Sequence, residues 1–200
     1  MKKDIRTYSG NLEVRASDDG EMKIEGYASV FNSRSELLGW YYEYIEEGFF
    51  DDVLTDDVRA LFNHDANYVL GRTVSNTLSL SVDNTGLRYT IDLPCTSFAR
   101  DLCESMKRGD IDQSSFGFVV GLDRWEYDDK NDIYIRYLVK AERLFDVSPV
   151  TYPAYTQTNS SVRSTQEIEA FKAELRGEDI NRTSYEKEAI KRKIEILKLK

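Results

Sequence analysis

The sequence predicts a mostly β fold with a few flanking helices (α+β), followed by a charged helical tail. Short runs of alternating apolar and polar residues recur along the first 158 residues, with polar turn signals between them. Apolar residues make up 40% of the chain and aromatic residues 12%, which is enough to build a core and excludes general disorder. Many short strands separated by turns favour a β-barrel or a β-sandwich.

The strand predictions depend on alternation and on the enrichment of β-branched and aromatic residues, which fit a pleated, half-buried surface. Polar residues at 83–86 and at 128–132 predict tight turns, the first of them a hairpin. Six segments are predicted as strands on these grounds: residues 23–31, 40–45, 78–82, 89–93, 116–120 and 133–139.

Helices are predicted at three places. Residues 96–108 place Phe98, Leu102 and Met106 at helical spacing, and Gly109 follows as a stop. A shorter helix is predicted over residues 49–54. The tail begins with the capping-box pattern of Ser164 and Glu167 and continues with apolar residues on one stripe, which predicts a helix.

The charge distribution divides the chain into a body, residues 1–158, and a linker with a charged helical tail, residues 159–200. Residues 1–159 carry 17 Lys and Arg against 28 Asp and Glu, whereas residues 160–200 carry 10 against 8. The net charge of -9 argues against a free-standing nucleic-acid binder, because phosphate contacts need a basic face. No apolar run approaches the roughly 18 residues of a membrane span, and no signal peptide is predicted. We therefore expect neither nucleic acid nor membrane as a partner.

Three residue types in the body are candidates for chemistry. His64 is the single histidine of the chain, so mechanisms that need two histidines are excluded. Ser114 and Ser115 begin an apolar strand, and Asp146 is an acid enclosed by apolar residues that needs a partner if it is buried. Each has an ordinary structural explanation when taken alone. No Gly-rich phosphate loop and no metal-ligand set beyond His64 and Asp65 is present, so we expect no cofactor and no metal.

Taken together and in order, several segments resemble one family, the prohead maturation proteases of tailed bacteriophages. The resemblance covers roughly residues 24–158. The matching segments are residues 25–32 (EGYASVFN), 60–65 (ALFNHD), 70–73 (LGRT), 85–89 (TGLRY), 107–110 (KRGD), 115–118 (SFGF) and 144–155 (LFDVSPVTYPAY).

The resemblance implies a fold and a set of site residues. The family is related to the herpesvirus assemblin proteases, so it implies a closed, mostly antiparallel β-barrel surrounded by helices. It places the family's histidine on His64 and the serine nucleophile on Ser115, with Ser114 one residue away as the alternative. The third member falls on Asp146. Assemblins use a second histidine here, which this chain lacks, and Glu142 and Asp65 are the other candidates.

The implied activity is that of a serine endopeptidase acting inside the immature procapsid, in the host cytoplasm. Its expected substrates are the major capsid protein, scaffold segments and the enzyme itself, and self-association is possible by analogy with assemblins. The tail is interpreted either as a scaffold-like or delivery segment that the enzyme trims, or as a solvated amphipathic helix without a specific role. A non-catalytic assembly protein on the same barrel is the alternative, and it predicts that His64, Ser115 and Asp146 do not converge. An unrelated β-barrel binding module predicts a basic or aromatic groove instead.

Overall fold

The structure is a computed structural model that describes residues 3–9, 12–16, 22–152 and 165–175. The chain divides into two compact units, Met1–Asn159 and Ser160–Lys200. The assignment of residues 1–158 to a protease domain and of 159–200 to a linker and tail stays a prediction.

The described part of the first unit consists of strands β1 to β10 and helix α1, and the second contains helix α2. The strands are β1 (Asp4–Ser9), β2 (Glu13–Ala16), β3 (Met22–Val30), β4 (Tyr41–Ile45), β5 (Arg59–Phe62), β6 (Asp65–Arg72), β7 (Leu78–Val82), β8 (Gly86–Asp92), β9 (Gln113–Asp128) and β10 (Ile133–Val150). The helices are α1 (Ser97–Lys107) and α2 (Thr165–Leu175).

The described strands form two sheets. One has the order β1-β9-β10-β5-β6, with β4 also paired to β10, and the other has the order β2-β3-β8-β7. The longest strands, β9 and β10, pair antiparallel from Asp128 and Ile133 to Gln113 and Val150. The prediction of a mostly β fold with few helices is confirmed. Neither sheet closes on itself within the described residues, so the closed barrel stays a prediction.

The strand directions differ in part from the predicted antiparallel arrangement. Strand β10 runs parallel to both β4 and β5. Parallel neighbours need a long connection, and the elements between β5 and β10 supply one. Alternation along a strand reports which side chains are buried and carries no information about the direction of the neighbouring strand.

The local signals for the hairpin and the long helix are confirmed by hydrogen bonds. In the β7–β8 turn, Asp83 N donates to Gly86 O over 3.2 Å and Thr85 N donates to Asp83 Oδ1 over 2.7 Å. Thr96 is the N-cap of α1, and its hydroxyl accepts from Ala99 N over 3.2 Å.

The short helix predicted over residues 49–54 is wrong, because this segment forms consecutive turns. Phe49 N and Val53 N each donate to a carbonyl three residues earlier, over 3.2 and 3.1 Å. The Phe49 carbonyl instead accepts from Ala141 N on β10 over 2.8 Å, so it is not available to a helix. Both Phe49 and Phe50 are fully buried, which the turns permit for two adjacent side chains.

The aromatic core packs against β9 and fixes its position. Phe116 and Phe118 stack at 4.8 Å between ring centroids, and each is met edge-on by a residue of the preceding turns. Phe50 lies 5.4 Å from Phe116, and Phe49 lies 5.5 Å from Phe118. Pairs of this geometry add roughly 0.5–1.5 kcal/mol beyond the burial of their area.

In the second unit, α2 occupies residues that the tail pattern predicts as helical. Ser164 and the predicted helical stripe beyond residue 175 lie outside the described residues. Among the helices that the structure describes, none has the length and apolar character needed to cross a bilayer.

Candidate active site

His64 lies at the tip of the β5–β6 hairpin. Phe62 and Asp65 face each other across the strand pair, so Asn63 and His64 form a two-residue turn. Their φ angles are +53° and +58°, as a type I′ hairpin requires at both positions. Asn and His are among the few side chains that adopt this left-handed backbone readily. The turn therefore projects the imidazole from the end of the hairpin.

Asn63 connects the hairpin tip to the end of β10. Its backbone N donates to Pro149 O over 3.0 Å, and its side-chain Oδ1 accepts from Thr151 N over 2.8 Å. Its Nδ2 donates to Thr151 Oγ1 over 3.2 Å. Because β10 also carries Asp146, these bonds fix His64 relative to that carboxylate.

The structure brings the three predicted site residues together. His64 Nε2 lies 2.6 Å from Ser115 Oγ, and His64 Nδ1 is hydrogen-bonded to Asp146 Oδ2. Ser115 lies on β9 and Asp146 on β10, where Ser148 is opposite Ser115 and Asp146 is opposite Gly117. The imidazole thus bridges a hydroxyl and a carboxylate that come from adjacent strands.

The alternatives to these residues lie elsewhere. Ser114 points to the opposite face of β9, where its Oγ is 2.8 Å from the buried Tyr89 hydroxyl. Asp65 is used within its own strand, since Oδ1 accepts from Asn67 N and Nδ2 over 2.8 Å each. Glu142 is exposed to solvent. None of these groups has a hydrogen bond to His64 comparable with those of Ser115 and Asp146.

The chain is similar to one known protein family over most of its length. The model of the caudovirus prohead serine proteases matches residues 10–174. The chain belongs to that family. The resemblance inferred from sequence motifs is therefore confirmed. The members of this family are the prohead serine proteases of tailed bacteriophages, so the chain is a serine protease.

One similar solved structure is the bacteriophage T4 capsid assembly protease. It has a TM-score of 0.46 and 10% sequence identity, and the similarity covers 74% of this prohead protease and 97% of the T4 chain. No relative is found among curated protein sequences.

Asp146 remains ionised in the prohead protease although it is only 1% exposed. Burial alone would raise the pKa of this carboxyl, but the hydrogen bonds and charges of His64 and Lys3 outweigh burial and lower the pKa below its ordinary value. Lys3 Nζ is bonded to Oδ1, while Ser148 Oγ donates to Oδ2 over 2.9 Å. A charged carboxylate is therefore held against the imidazole.

Sequence reasoning missed two sets of residues in this site. Ser148 follows Asp146 by two positions, so strand alternation alone would have placed both on one face of β10. Strand β1 and the residue before it were also missed, although β1 contributes Arg6 and Thr7 and the preceding residue is Lys3. Ile5, Thr7 and Tyr8 favour strands, but six residues without clear alternation give a weak signal.

Gly117 has a structural reason to lack a side chain. A Cβ at this position would lie 2.7 Å from Asp146 Oδ1 and 2.0 Å from Lys3 Cε. Such distances are below van der Waals contact, so the Asp146–Lys3 pair occupies the space that a larger residue would need. The Ser-Phe-Gly-Phe motif thus provides the nucleophile candidate and, two residues later, the room for its acidic partner.

The described residues contain no group of three or more His, Cys, Asp or Glu side chains arranged to hold a metal ion.

Proposed function

We propose that this chain is an endopeptidase that processes capsid and scaffold proteins, and itself, inside the immature phage procapsid in the host cell. Ser115 is the nucleophile, His64 the general base and Asp146 the third member of a triad. The observation that carries the assignment is the imidazole bridging Ser115 Oγ, at 2.6 Å, and the Asp146 carboxylate. The family's description supports a proteolytic role in the prohead.

The geometry supports a proton transfer along the line Ser115–His64. A serine hydroxyl is a weak nucleophile until a base removes its proton. Nε2 of His64 is within hydrogen-bond reach of Oγ, so it takes the proton as Oγ attacks the peptide carbonyl. The same nitrogen then delivers the proton to the departing amine. Water repeats the sequence on the acyl-enzyme to release the second product.

Asp146 makes this transfer productive. Its carboxylate accepts a hydrogen bond from Nδ1–H, which leaves Nε2 free to act as the base. As the imidazole becomes cationic, the negative charge stabilises it. Ser148 Oγ donates to the same Asp146 oxygen and lies 3.4 Å from His64 Nδ1, so it restricts the orientation of the carboxylate. Ser148 is therefore a positioning residue in this mechanism.

The proposal includes the closed assemblin-like barrel. The two sheets of the first unit approach each other on two sides, where β6 contacts β7 and β8 and where β1 and β9 contact β3. The backbone carbonyl oxygen of Arg72, at the end of β6, accepts a hydrogen bond from Thr77 N over 3.2 Å, just before β7 begins. Contacts on both sides support closure of the strands around the shared core.

A non-catalytic assembly protein on the same fold is the alternative. A non-catalytic protein would have no need for His64, Ser115 and Asp146 to lie together. The hydrogen bonds that connect all three argue against it.

The decisive test pairs two adjacent serines. Ser115→Ala is expected to abolish cleavage of the co-expressed major capsid protein of the same phage, and also labelling by a fluorophosphonate probe. Ser114→Ala is the matched control, because Ser114 contacts Tyr89 on the other face, and it is expected to retain both. Gel analysis and mass spectrometry of the labelled peptide provide the measurements. Cleavage by Ser115→Ala at the rate of Ser114→Ala would overturn the assignment.

We also propose that residues 159–200 form a scaffold-like segment that the enzyme removes. The support is the change in charge balance near residue 160 and the helix α2. Mass spectrometry of active enzyme after capsid maturation is expected to find a shortened C-terminus, whereas Ser115→Ala keeps the full chain. An intact C-terminus in mature, active enzyme would contradict this proposal.

A further inference from the structure

The candidate nucleophile is covered by the N-terminal strand. Ser115 is 0% exposed, although a peptide carbonyl has to reach its Oγ for cleavage. Two residues of β1 engage this atom directly. The carbonyl oxygen of Arg6 lies 2.8 Å from Ser115 Oγ and competes with His64 Nε2 for the single hydroxyl proton, and Thr7 Oγ1 donates to Ser115 Oγ over 3.3 Å. In this arrangement the space that a substrate needs is filled by the chain itself.

Strand β1 is placed where it can leave without dismantling the sheet. It is the outermost strand in the order β1-β9-β10-β5-β6, and its pairing partner is β9, with Thr7 opposite Ser115. Its contacts with β3 of the other sheet would be lost on leaving, but β9 has its own contacts with β3. The other groups that contact Ser115 or its base are at the tip of the β5–β6 hairpin and on β10, so they stay in place when β1 leaves. The family match begins at residue 10, so β1 precedes the matched part of the chain.

Two cations attach β1 to buried carboxylates. Lys3 is bonded to Asp146, and Arg6 forms a bidentate pair with Glu43, from Nε to Oε1 at 2.5 Å and from Nη2 to Oε2 at 3.0 Å. Glu43 is only 3% exposed. Burial lowers the pKa of Arg6, but Glu43 outweighs this effect, so the guanidinium stays charged. These contacts hold β1 by charge as well as by strand pairing.

Both carboxylates keep other partners when β1 is absent. Asp146 retains His64 and Ser148, and Glu43 retains Arg136, whose Nη1 lies 3.2 Å from Oε2. Departure of β1 therefore exposes Ser115 without leaving either buried charge alone. This is what distinguishes a displaceable cover from a strand on which the site depends.

We propose that β1 is an autoinhibitory strand, which pairs with β9 over Ser115 in the closed state and must separate from β9 before a substrate reaches the nucleophile. Lys3 and Arg6 are the contacts that hold it closed. The inference rests on the proposed function, because it takes Ser115 as the nucleophile.

Hydrogen exchange of the unmodified full chain tests the opening without relying on catalysis. A state that is open about 0.1–10% of the time exchanges its amides by local opening. The amides of residues 4–9 are therefore expected to exchange at least about tenfold faster than those of residues 143–148 on β10, on the other side of β9. Equal protection of the two segments would mean that β1 opens only when the whole sheet unfolds, and would overturn the proposal.

A reversible lock tests the requirement for opening. Ser9 and Gln113 are opposite each other in the β1–β9 pair, at a Cα spacing that antiparallel strands place within disulfide range. The double variant Ser9→Cys/Gln113→Cys is made with Cys95→Ser, which removes the exposed thiol. Fluorophosphonate labelling of Ser115 in the oxidised form is expected to be at least about tenfold slower than in the same protein after reduction. The reduced form is the matched control, because it carries the same substitutions.

The outcomes separate the two proposals. Equal labelling of oxidised and reduced protein would overturn the autoinhibitory strand and leave Ser115 as the nucleophile. Absence of labelling in both forms, with labelling also absent in the unmodified chain, would overturn the nucleophile assignment and the inference that rests on it. Single variants Ser9→Cys and Gln113→Cys, treated with the same oxidant, are expected to label at the reduced rate. Slow labelling of either single variant would show that oxidation or the substitution slows the reaction without a disulfide. That result would contradict the claim that fixing β1 to β9 blocks Ser115.

Discussion

Residues 114, 116 and 118 of β9 face the aromatic core, whereas residues 115 and 117 face the polar cluster around His64. On the core face, Phe116 and Phe118 are buried and stack on each other, and the Ser114 hydroxyl bonds to Tyr89. On the other face, Ser115 meets an imidazole and a backbone carbonyl, and Gly117 makes room for a carboxylate and an ammonium group.

The difference between the faces shows how one strand can combine stability with reactivity. Packing on the core face holds β9 in place, and on the opposite face Ser115 Oγ is held 2.6 Å from His64 Nε2. Substitutions on the core face should therefore mainly reduce the free energy of unfolding. Substitutions on the polar face should reduce activity while the protein stays folded. The following predictions test this separation.

The largest effect is expected for Asp146→Asn, on the polar face. The amide keeps the shape of the side chain but cannot stabilise a cationic imidazole, and it favours the wrong tautomer of His64. We expect kcat to fall by about 10⁴-fold. Peptidase assays measure the loss, and near-UV circular dichroism checks that the variant is folded. A loss of less than tenfold in folded protein would show that Asp146 does not act on the imidazole.

Phe118→Ala tests the core face. Phe118 is 0% exposed and packs against Phe49 and Phe116, so truncation leaves a cavity. We expect the free energy of unfolding to fall by about 3–5 kcal/mol, measured by urea denaturation. Phe118→Leu is the size-matched control and should cost less. If Phe118→Ala kept wild-type stability but lost activity, the separation between the two faces would fail.

Ser148→Ala tests the positioning role on the polar face. The variant removes the donor to Asp146 Oδ2, a hydrogen bond to a charged acceptor, and we expect kcat to fall by about tenfold. Ser148→Thr keeps a hydroxyl and should restore most of the rate. The acidic limb of the pH–rate profile should also shift in Ser148→Ala if the residue acts through the Asp146–His64 pair. A loss of stability with an unchanged rate and profile would indicate a structural role only.

The smallest effect concerns the stability of the protein in acid. The pKa of Asp146 is lowered from its ordinary value of 3.8, so the folded state binds the proton less readily than the unfolded state. The stabilisation from the ionised carboxylate is complete above that ordinary value and is lost as the pH falls through the lower, folded pKa. The difference in unfolding free energy between wild type and Asp146→Asn should stay constant at neutral pH and shrink as the pH falls below about 4, through the lower pKa of the folded state. A constant difference would contradict the lowered pKa.

Local patterns predicted the elements whose signals lie within a few residues. The β7–β8 hairpin and α1 follow from a turn sequence, a capping threonine and regular apolar spacing. Residues 49–54 show the limit of such signals. The spacing of their apolar residues is typical of a short helix. However, the Phe49 carbonyl accepts a hydrogen bond from Ala141 N, more than ninety positions away, and this bond cannot be predicted from the segment itself.

The sequence predicted the three residues of the candidate site better than it predicted the residues that surround them. His64 has no rival in the chain, and the motifs around Ser115 and Asp146 indicated the other two members. The motifs left Ser114 and Ser115 open, because adjacent serines on a strand differ only in the face that each occupies. Packing decides that face, through Phe116 and Phe118 in the core and Tyr89 against Ser114.

By itself, the sequence determined that this chain is β-rich, that it has one imidazole for acid–base chemistry, and which family it belongs to. These properties depend on composition and on short motifs, which are read along the chain. Only the tertiary structure decided that β10 lies parallel to β4 and β5, that Ser148 supports Asp146, and that β1 covers Ser115. Each of these is a contact between distant segments, and its free energy depends on burial and geometry that exist only once the sheet has formed.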